Sequence, residues 1–109
     1  MEFVDRHLDS FVKWDVLVYF HENQEIEKKV SGLALDIGRK VSSLEPVLEG
    51  LAAQGILESE EEPGDERSYR YSATSEFKLG MEKFSEATRD RANRLAFVSK
   101  VLQKEAGRL

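Results

Sequence analysis

The chain has 109 residues, of which 34% are charged, a formal charge of −5 at pH 7 and no cysteine. This length suits one domain with one core, and the lack of cysteine excludes disulfides, thiolate zinc sites and cysteine nucleophiles. The acidic balance argues mildly against a dedicated nucleic-acid binder, because phosphate neutralisation by cations supplies most non-specific affinity. The layout of the charges matters more than their sum.

The first ten residues, MEFVDRHLDS, have neither the basic segment nor the apolar run of a secretory signal peptide. No stretch approaches the roughly 18 consecutive apolar residues of a membrane-spanning helix. We therefore expect a cytoplasmic protein that makes no membrane contact.

The first predicted element is a helix over Leu8–Asn23, with Asp9 or Ser10 as its N-terminal cap. One apolar side holds Phe11, Trp14, Leu17, Val18 and His21, and another holds Leu8, Val12, Val16, Tyr19 and Phe20. A helix that is apolar on both sides is buried on both sides. We expect one side to face the core and the other to be covered by the C-terminal helix or by a partner chain.

Two shorter helices are predicted next. Val30, Leu33, Ala34 and Ile37 have the i, i+3, i+4, i+7 spacing of a helix, and Gly38 fits as its stop. The third helix begins at Ser42, which has capping-box spacing to Glu45, or at Ser43, which would place Pro46 in the first turn. Its predicted buried stripe is Leu44, Val47, Leu48 and Leu51, and Gly55 ends it.

A β-hairpin follows the third helix. Ile56 and Leu57 enter the first strand, and Pro63-Gly64-Asp65 is a turn signal. Ser68-Tyr69-Arg70-Tyr71 alternates polar and aromatic residues, which is typical of a half-buried strand.

The C-terminal segment predicts one long helix from about Ser75 to Ala106, capped by Thr74 and bent at Gly80. Residues spaced by alternating steps of three and four form a heptad seam: Met81, Phe84, Thr88, Arg91, Leu95, Val98 and Leu102. Its polar middle favours helix packing in a compact homodimer over a long coiled coil.

The order of these elements, with the motifs between Val30 and Thr74, resembles the winged helix-turn-helix of MarR- and ArsR-type transcriptional regulators. The motifs are Leu33-Ala34, Gly38, the leucines Leu44, Leu48 and Leu51, Gly55-Ile56-Leu57 and Tyr69-Arg70-Tyr71. The expected fold class is mainly α with a small β-hairpin. The resemblance implies a winged helix-turn-helix domain over residues 1–74 and a dimerising C-terminal helix over residues 75–109.

In that family the third helix reads bases and the hairpin, or wing, touches the DNA backbone or the minor groove. Carried onto this chain, the resemblance implies double-stranded DNA as the partner of a dimeric regulator. The residues it would use are Arg39, Lys40, Ser42, Ser43, Arg67 and Arg70. The chain departs from the family at Glu45, Pro46, Val47 and Glu49, which stand where the family usually has small polar or basic residues.

This acidity leaves a second interpretation open, in which the same fold contacts a basic protein. A carboxylate is repelled by phosphates, and its only good base partner is the cytosine amino group. The residues that would serve a protein partner are Glu45, Glu49, Glu61 and Glu62.

Catalysis and cofactor binding are not indicated by any pattern. His7 and His21 are the only histidines, too few and too far apart to suggest a metal site. We expect His7 to be solvated and His21 to be half-buried. The acidic run over residues 58–62 lacks the glycine-organised oxygen pattern of a calcium loop, and no catalytic triad or phosphate-binding glycine loop is present. We therefore expect a non-enzymatic protein without a cofactor.

Overall fold

A computed structural model describes residues 1–107, so Arg108 and Leu109 of the predicted C-terminal segment lie outside the described residues. The elements are α1 (Glu2–His7), α2 (Phe11–Glu22), β1 (Glu27–Lys29), α3 (Val30–Ile37), α4 (Val41–Ala53), β2 (Leu57–Glu60), β3 (Ser68–Tyr71), α5 (Ser75–Ala87) and α6 (Arg91–Ala106). The expected mainly α architecture with a small hairpin is confirmed. The hairpin belongs to a three-stranded antiparallel sheet in the order β1-β3-β2.

The long N-terminal helix of the sequence analysis begins later than expected, and a separate short helix, α1, precedes it. Of the two proposed caps, Ser10 is the one that accepts a hydrogen bond from the Lys13 N–H, at 3.1 Å. The side-chain cap fixes the start of α2 because it satisfies a main-chain donor that the helix leaves unpaired.

Both apolar sides of α2 are covered by this chain itself. Val16, Leu17 and Phe20 are fully buried, and α2 packs against α3, α4, α5 and β3. On the side of α2 that faces α5, the Trp14 ring lies 5.1 Å from the Phe84 ring. The C-terminal segment, one of the two expected alternatives, therefore covers part of this second side, where Trp14 and Val18 remain half-buried.

The junction between α1 and α2 is held by two neighbouring residues of α6. Lys104 Nζ donates to the main-chain oxygens of Val4, Asp5 and Leu8 at 2.9, 2.8 and 3.2 Å. The Glu105 carboxylate accepts from the Phe11 N–H at 2.8 Å. A cation therefore meets the carbonyl end of α1 while an anion meets the amide end of α2, the favourable sense for both helix dipoles. The hydrogen bonds made by Lys104 and Glu105 at this junction are called the α6 clamp below.

Gly38 ends α3 in the left-handed conformation, with φ of 77°, as the sequence predicted. After it, α4 begins at Val41 with Lys40 as the flanking residue, and no side chain caps its first turn. Both proposed serine caps are therefore wrong. Pro46 lies inside α4 rather than in its first turn. Because proline has no N–H, the carbonyl of Ser42, four residues earlier, lacks its helical hydrogen bond, and both residues are exposed to solvent.

The inward face of α4 matches the prediction. Leu44, Leu48 and Leu51 are at most 1% exposed, and Val47 is half-buried. The same core cluster includes residues of the sheet and of both C-terminal helices: Leu57, Tyr69, Tyr71, Met81, Phe84, Phe97 and Val101.

The prediction of one long C-terminal helix is wrong. The helix is interrupted between α5 and α6. Asp90 caps α6 at this point, because its side chain accepts a hydrogen bond from the Asn93 N–H at 3.1 Å. The continuous heptad seam is therefore absent. Its first residues, Met81 and Phe84, are buried in the chain's own core, whereas Leu95 is 57% exposed on α6.

Gly80 does not mark the break, because α5 runs through it; Gly80 makes room for α1 instead. A Cβ placed on Gly80 would lie 2.7 Å from Phe3 Cδ2. The Phe3 ring also packs 5.2 Å from the Phe77 ring, so the close approach of α1 to α5 depends on a residue without a side chain.

We expect Gly80→Ala to lower the free energy of unfolding by about 1–3 kcal/mol, because the clash with Phe3 outweighs the gain in helix propensity. Gly50→Ala is the matched control, since Gly50 also lies inside a helix but its Cβ would meet no atom within 4 Å. The control is expected to stabilise by about 0.5–1 kcal/mol. Urea unfolding measures both, and equal stabilisation by the two alanines would contradict the packing role of Gly80.

We expect Lys104→Ala to destabilise the fold by about 1–3 kcal/mol, since three carbonyls lose a charged donor. Lys83→Ala is the control, because Lys83 is an exposed helical lysine with no hydrogen bond or ion pair in residues 1–107. Thermal unfolding of the two variants measures the difference. Similar melting temperatures for both would show that the α6 clamp contributes nothing.

Candidate nucleic-acid interface

The helices α3 and α4 are joined by a turn made of Gly38, Arg39 and Lys40, and α4 presents one continuous face to solvent. The exposed residues of that face are Ser42, Ser43, Glu45, Pro46, Glu49, Gly50 and Ala53. This exposure follows from the burial of the α4 leucines on the opposite side. The α4 residues that the sequence analysis assigned to a DNA or protein partner, Ser42, Ser43, Glu45 and Glu49, thus lie on one surface.

The N-terminal end of α4 is the part of this surface best suited to an anion. Lys40 is exposed and makes no ion pair within residues 1–107, and the hydroxyls of Ser42 and Ser43 are exposed beside it. No side chain caps the first turn of α4. The Ser43 N–H donates to the Lys40 carbonyl at 3.0 Å, so Val41 and Ser42 supply the N–H groups without an intrahelical acceptor, at the positive end of the helix dipole.

Arg39, the next candidate cation, is directed back towards α2. Its Nε donates to Asp15 Oδ2 at 2.7 Å, and its side chain is 33% exposed. In this structure the ion pair joins the α3–α4 turn to α2, and the Arg39 side chain is directed to Asp15 and not to the exposed face of α4.

The two remaining candidate cations lie on the hairpin, and each carries an ion pair with a neighbouring carboxylate. Arg70 Nη2 donates to Glu58 Oε2 at 2.9 Å across β2 and β3, and Arg67 Nη2 donates to Glu61 Oε2 at 3.0 Å. Glu58 raises the pKa of Arg70, and Glu61 raises the pKa of Arg67, through these hydrogen bonds.

Arg70 also points to the other side of the sheet from α4. Successive residues of a strand face opposite sides, and the neighbouring Tyr69 is buried. Burial raises the pKa of Tyr69; Arg67 lowers it, while the carboxylates of Glu49 and Glu45 raise it further. Arg67 therefore lies near the acidic part of α4, whereas Arg70 does not. The four candidate cations do not share one face.

The carboxylates assigned to a protein partner are largely unpaired. Glu45, Glu49 and Glu62 are exposed and make no ion pair in the described part of the chain, whereas Glu61 is paired with Arg67. Between residues 39 and 70 the chain has eight carboxylates and four cations. The α4–hairpin surface is therefore negative beyond its N-terminal end.

Two carboxylates of the hairpin loop, residues 61–67, have a structural role that the sequence analysis missed. Asp65 pairs with Lys29 at 2.5 Å, and the Ser31 N–H and hydroxyl donate to the two oxygens of Glu66 at 2.9 and 2.5 Å. Glu66 thus caps the first turn of α3, which has no cap of its own. We call these contacts the loop latch; they join residues that are distant in sequence, so no local spacing signals them.

The histidines lie apart from this surface. His7 was expected to be solvated, but it is half-buried, with its ring 4.9 Å from Phe3 and 5.0 Å from Phe77. Burial lowers the pKa of His7. His21 is half-buried as expected, and its Nδ1 lies 3.3 Å from the Tyr71 hydroxyl.

Within residues 1–107, no three His, Asp or Glu side chains are grouped so that they could hold a metal ion. Over the same residues, no helix is long and apolar enough to cross a lipid bilayer. The comparisons with known proteins add no assignment: no family model, no curated protein and no solved structure matches this chain.

The loop latch predicts that stability falls in acid. Hydrogen bonds from Lys29 hold the pKa of Asp65 below its ordinary value of 3.8, and hydrogen bonds from Ser31 hold that of Glu66 below 4.5. Because the folded state binds fewer protons than the unfolded state, the contribution is complete above about pH 5 and is lost as the pH falls through the folded values. Glu66→Gln should therefore lower the urea midpoint at neutral pH and lower it less in acid.

Glu62→Gln is the control for this measurement, because the Glu62 side chain lies in the same loop and makes no hydrogen bond or ion pair within the described residues. It should leave the neutral-pH midpoint unchanged. If Glu66→Gln and Glu62→Gln had the same midpoints at both pH values, the loop latch would have no effect on stability.

Proposed function

We propose that this chain is a winged helix-turn-helix protein that binds duplex DNA through the N-terminal end of α4 and acts as a non-enzymatic transcriptional regulator. The proposal is supported by the order of elements: a three-residue glycine-containing turn between α3 and α4, then a hairpin whose second strand also pairs with the strand before α3. A helix-turn-helix joins its two helices by a turn of this kind, and the later helix enters the major groove.

The observation that carries the proposal is the chemistry at the start of α4. Lys40, two serine hydroxyls and an uncapped helix N-terminus are exposed together. Helix-turn-helix proteins contact base edges with the N-terminal residues of this helix, and exposed amides at a helix start bind phosphate oxygens well. Glu45 and Glu49 lie farther along α4, so DNA would contact its first turn more closely than its middle.

The ion pair of Arg67 weakens DNA binding without preventing it. Arg67 and Glu61 are both substantially exposed, and exposed ion pairs contribute about 0–1 kcal/mol. A phosphate can therefore replace the carboxylate at little cost in pairing energy, whereas Arg70 faces the other side of the sheet from α4 and is not expected to contact the same duplex. The displaced Glu61 carboxylate still repels the duplex, so we expect weak binding with a steep salt dependence.

A second function, binding of a basic protein surface, is favoured by the unpaired carboxylates of α4. Glu45 and Glu49 are exposed four residues apart on one helix face, and neither carries an ion pair in residues 1–107. A basic partner would meet complementary charge here, whereas DNA would meet repulsion.

The double variant Glu45→Lys with Glu49→Lys separates the two functions. If α4 binds DNA, the wild-type chain should retard mixed duplexes in a mobility-shift assay at low salt. The variant should bind the same duplexes with roughly tenfold or higher affinity, and its affinity should fall more steeply as the salt concentration rises. If α4 binds a basic protein, the variant should lose that partner. Glu82→Lys with Glu86→Lys is the matched control, because these exposed glutamates are also four residues apart, on α5.

Lys40→Ala tests the anion-binding end of α4 within the same assay. We expect at least a fewfold loss of DNA affinity and a smaller salt slope, since one phosphate contact disappears. Absence of wild-type retention even at low salt would overturn the DNA proposal. Partners recovered equally by wild type and by the α4 double variant would overturn the protein alternative.

A further inference from the structure

Three aromatic side chains pack α1 against α5. The His7 ring lies 4.9 Å from the Phe3 ring of α1 and 5.0 Å from the Phe77 ring of α5, and the two phenylalanine rings lie 5.2 Å apart. All three residues are half-buried. We call Phe3, His7 and Phe77 the ring cluster. Of its three rings, only that of His7 can acquire a charge near neutral pH.

The helix that carries His7 depends on its docking contacts. It has six residues and no side-chain cap, and a helix this short is marginal by itself in water. Besides the ring cluster, its contacts are the buried Val4, the Asp5–Lys100 ion pair at 2.9 Å and the carbonyls held by Lys104 in the α6 clamp. A change in the ring cluster therefore alters the stability of the whole of α1.

The imidazole of His7 has no partner that would stabilise a positive charge. Within residues 1–107 it makes no hydrogen bond or ion pair. Burial lowers the pKa of His7, and the cations of Lys13 and Arg6 lower it further. All three influences disfavour the protonated ring.

The charges that face His7 come from α1, α2 and α5. A cleft of about 760 Å³ between α1 and α5 passes His7 and opens to solvent. Its ionisable groups are the Met1 amine, Glu2, Arg6, Glu76 and Lys83. Lys13 of α2 adds a further cation, so among these groups four cations face two carboxylates.

Neither carboxylate of the cleft neutralises His7. Glu2 is paired with Arg6 at 2.8 Å. Glu76 is exposed in the first turn of α5 and makes no hydrogen bond to His7. Towards the end of α4 and the start of α5, His7 shares a second cavity with residues that do not ionise: Gln54, Gly55, Ile56, Ala73, Thr74 and Phe77.

We propose that the docking of α1 onto α5 is a pH-sensitive contact, which loosens when His7 takes up a proton. A docked imidazolium is desolvated by the ring cluster and repelled by Lys13 and Arg6, so the protonated chain gains by releasing α1 to water. Release separates Phe3 from Phe84, whose rings lie 6.0 Å apart. The proposal does not depend on the ligand of α4, since none of these residues lies on the exposed face of that helix.

The pH window follows from the protonation equilibrium of His7. Docking favours the neutral ring, so the pKa lies below its ordinary value of 6.5 in the docked state and returns to that value on release. Docking is therefore strongest above pH 6.5, weakens as the pH falls through the lowered docked value, and stays constant below it. The loop latch contributes fully above about pH 5, so measurements between about pH 7.5 and 5.5 separate the two effects.

The experiment combines an NMR titration of the His7 ring with hydrogen exchange of the Leu8 N–H, which donates to the Val4 carbonyl at 3.0 Å and exchanges when α1 opens. We expect a pKa for His7 below 6.5. The protection factor of Leu8 should fall roughly twofold or more between about pH 7.5 and 5.5. The size of this fall is set by the proton affinities of His7 in the docked and released helix, so the titration and the exchange data check each other.

His7→Phe is the decisive variant, because it keeps a ring in the cluster and cannot be protonated. Its Leu8 protection factor should stay constant over the same pH range. His21→Phe, which replaces the other histidine of the chain, is the control and should behave as wild type. Lys13→Gln keeps the ring cluster intact and removes one cation, so it should raise the pKa of His7 and reduce the fall in protection.

Three outcomes would overturn the proposal. The first is a Leu8 protection factor that does not change with pH in wild type, and the second is an equal fall in wild type and in His7→Phe. The third is a pKa for His7 at or above 6.5, which would show that attraction of the cation by the phenylalanine faces outweighs its burial and repulsion.

Discussion

The rotation of α4 about its axis is the constraint on which the interpretation of this protein depends. Leu44, Leu48 and Leu51 are all buried, and each buried leucine contributes about 1.5–3 kcal/mol relative to exposure. Hiding Glu45 and Glu49 instead would expose the leucines and desolvate two charges, which costs more still. The packing that builds the α3–α4 unit therefore places two carboxylates where a DNA-binding helix usually has neutral or basic residues.

The parts of the fold that the sequence predicted well are those in which local and tertiary preferences agree. Local sequence spacing is enough to predict three features: the apolar stripe of α3, the left-handed Gly38 and the inward leucines of α4. The break before α6 was missed although Asp90 is a good capping residue, because the absence of proline and the seam spacing favoured continuity. The role of Gly80 was missed for a different reason: it depends on Phe3, far away in sequence, which no local pattern reveals.

The candidate site was predictable as a list of residues but not as an arrangement. Outward positions on α4 follow from helical periodicity, and Lys40, Ser42 and Ser43 are exposed at the start of this helix. The partners of the cations do not follow from periodicity, since Arg39 meets Asp15 across 24 positions and Lys29 meets Asp65 across 36. The Arg70–Glu58 pair is intermediate: it follows once the hairpin register is known, and that register is set by the side of β3 on which its tyrosines are buried.

The α6 clamp ties the order of folding to the order of synthesis. Glu105 and Lys104 complete the α1–α2 corner from 94 to 100 positions downstream, and contacts of such sequence separation form late. At about 5–20 residues added per second, the corner stays incomplete on the ribosome for roughly 5–20 seconds after its own residues emerge. For most of that interval Trp14 also lacks the ring of Phe84, 70 positions downstream, which packs against it in the finished protein. The nascent chain therefore exposes an aromatic surface until its C-terminal helices are made.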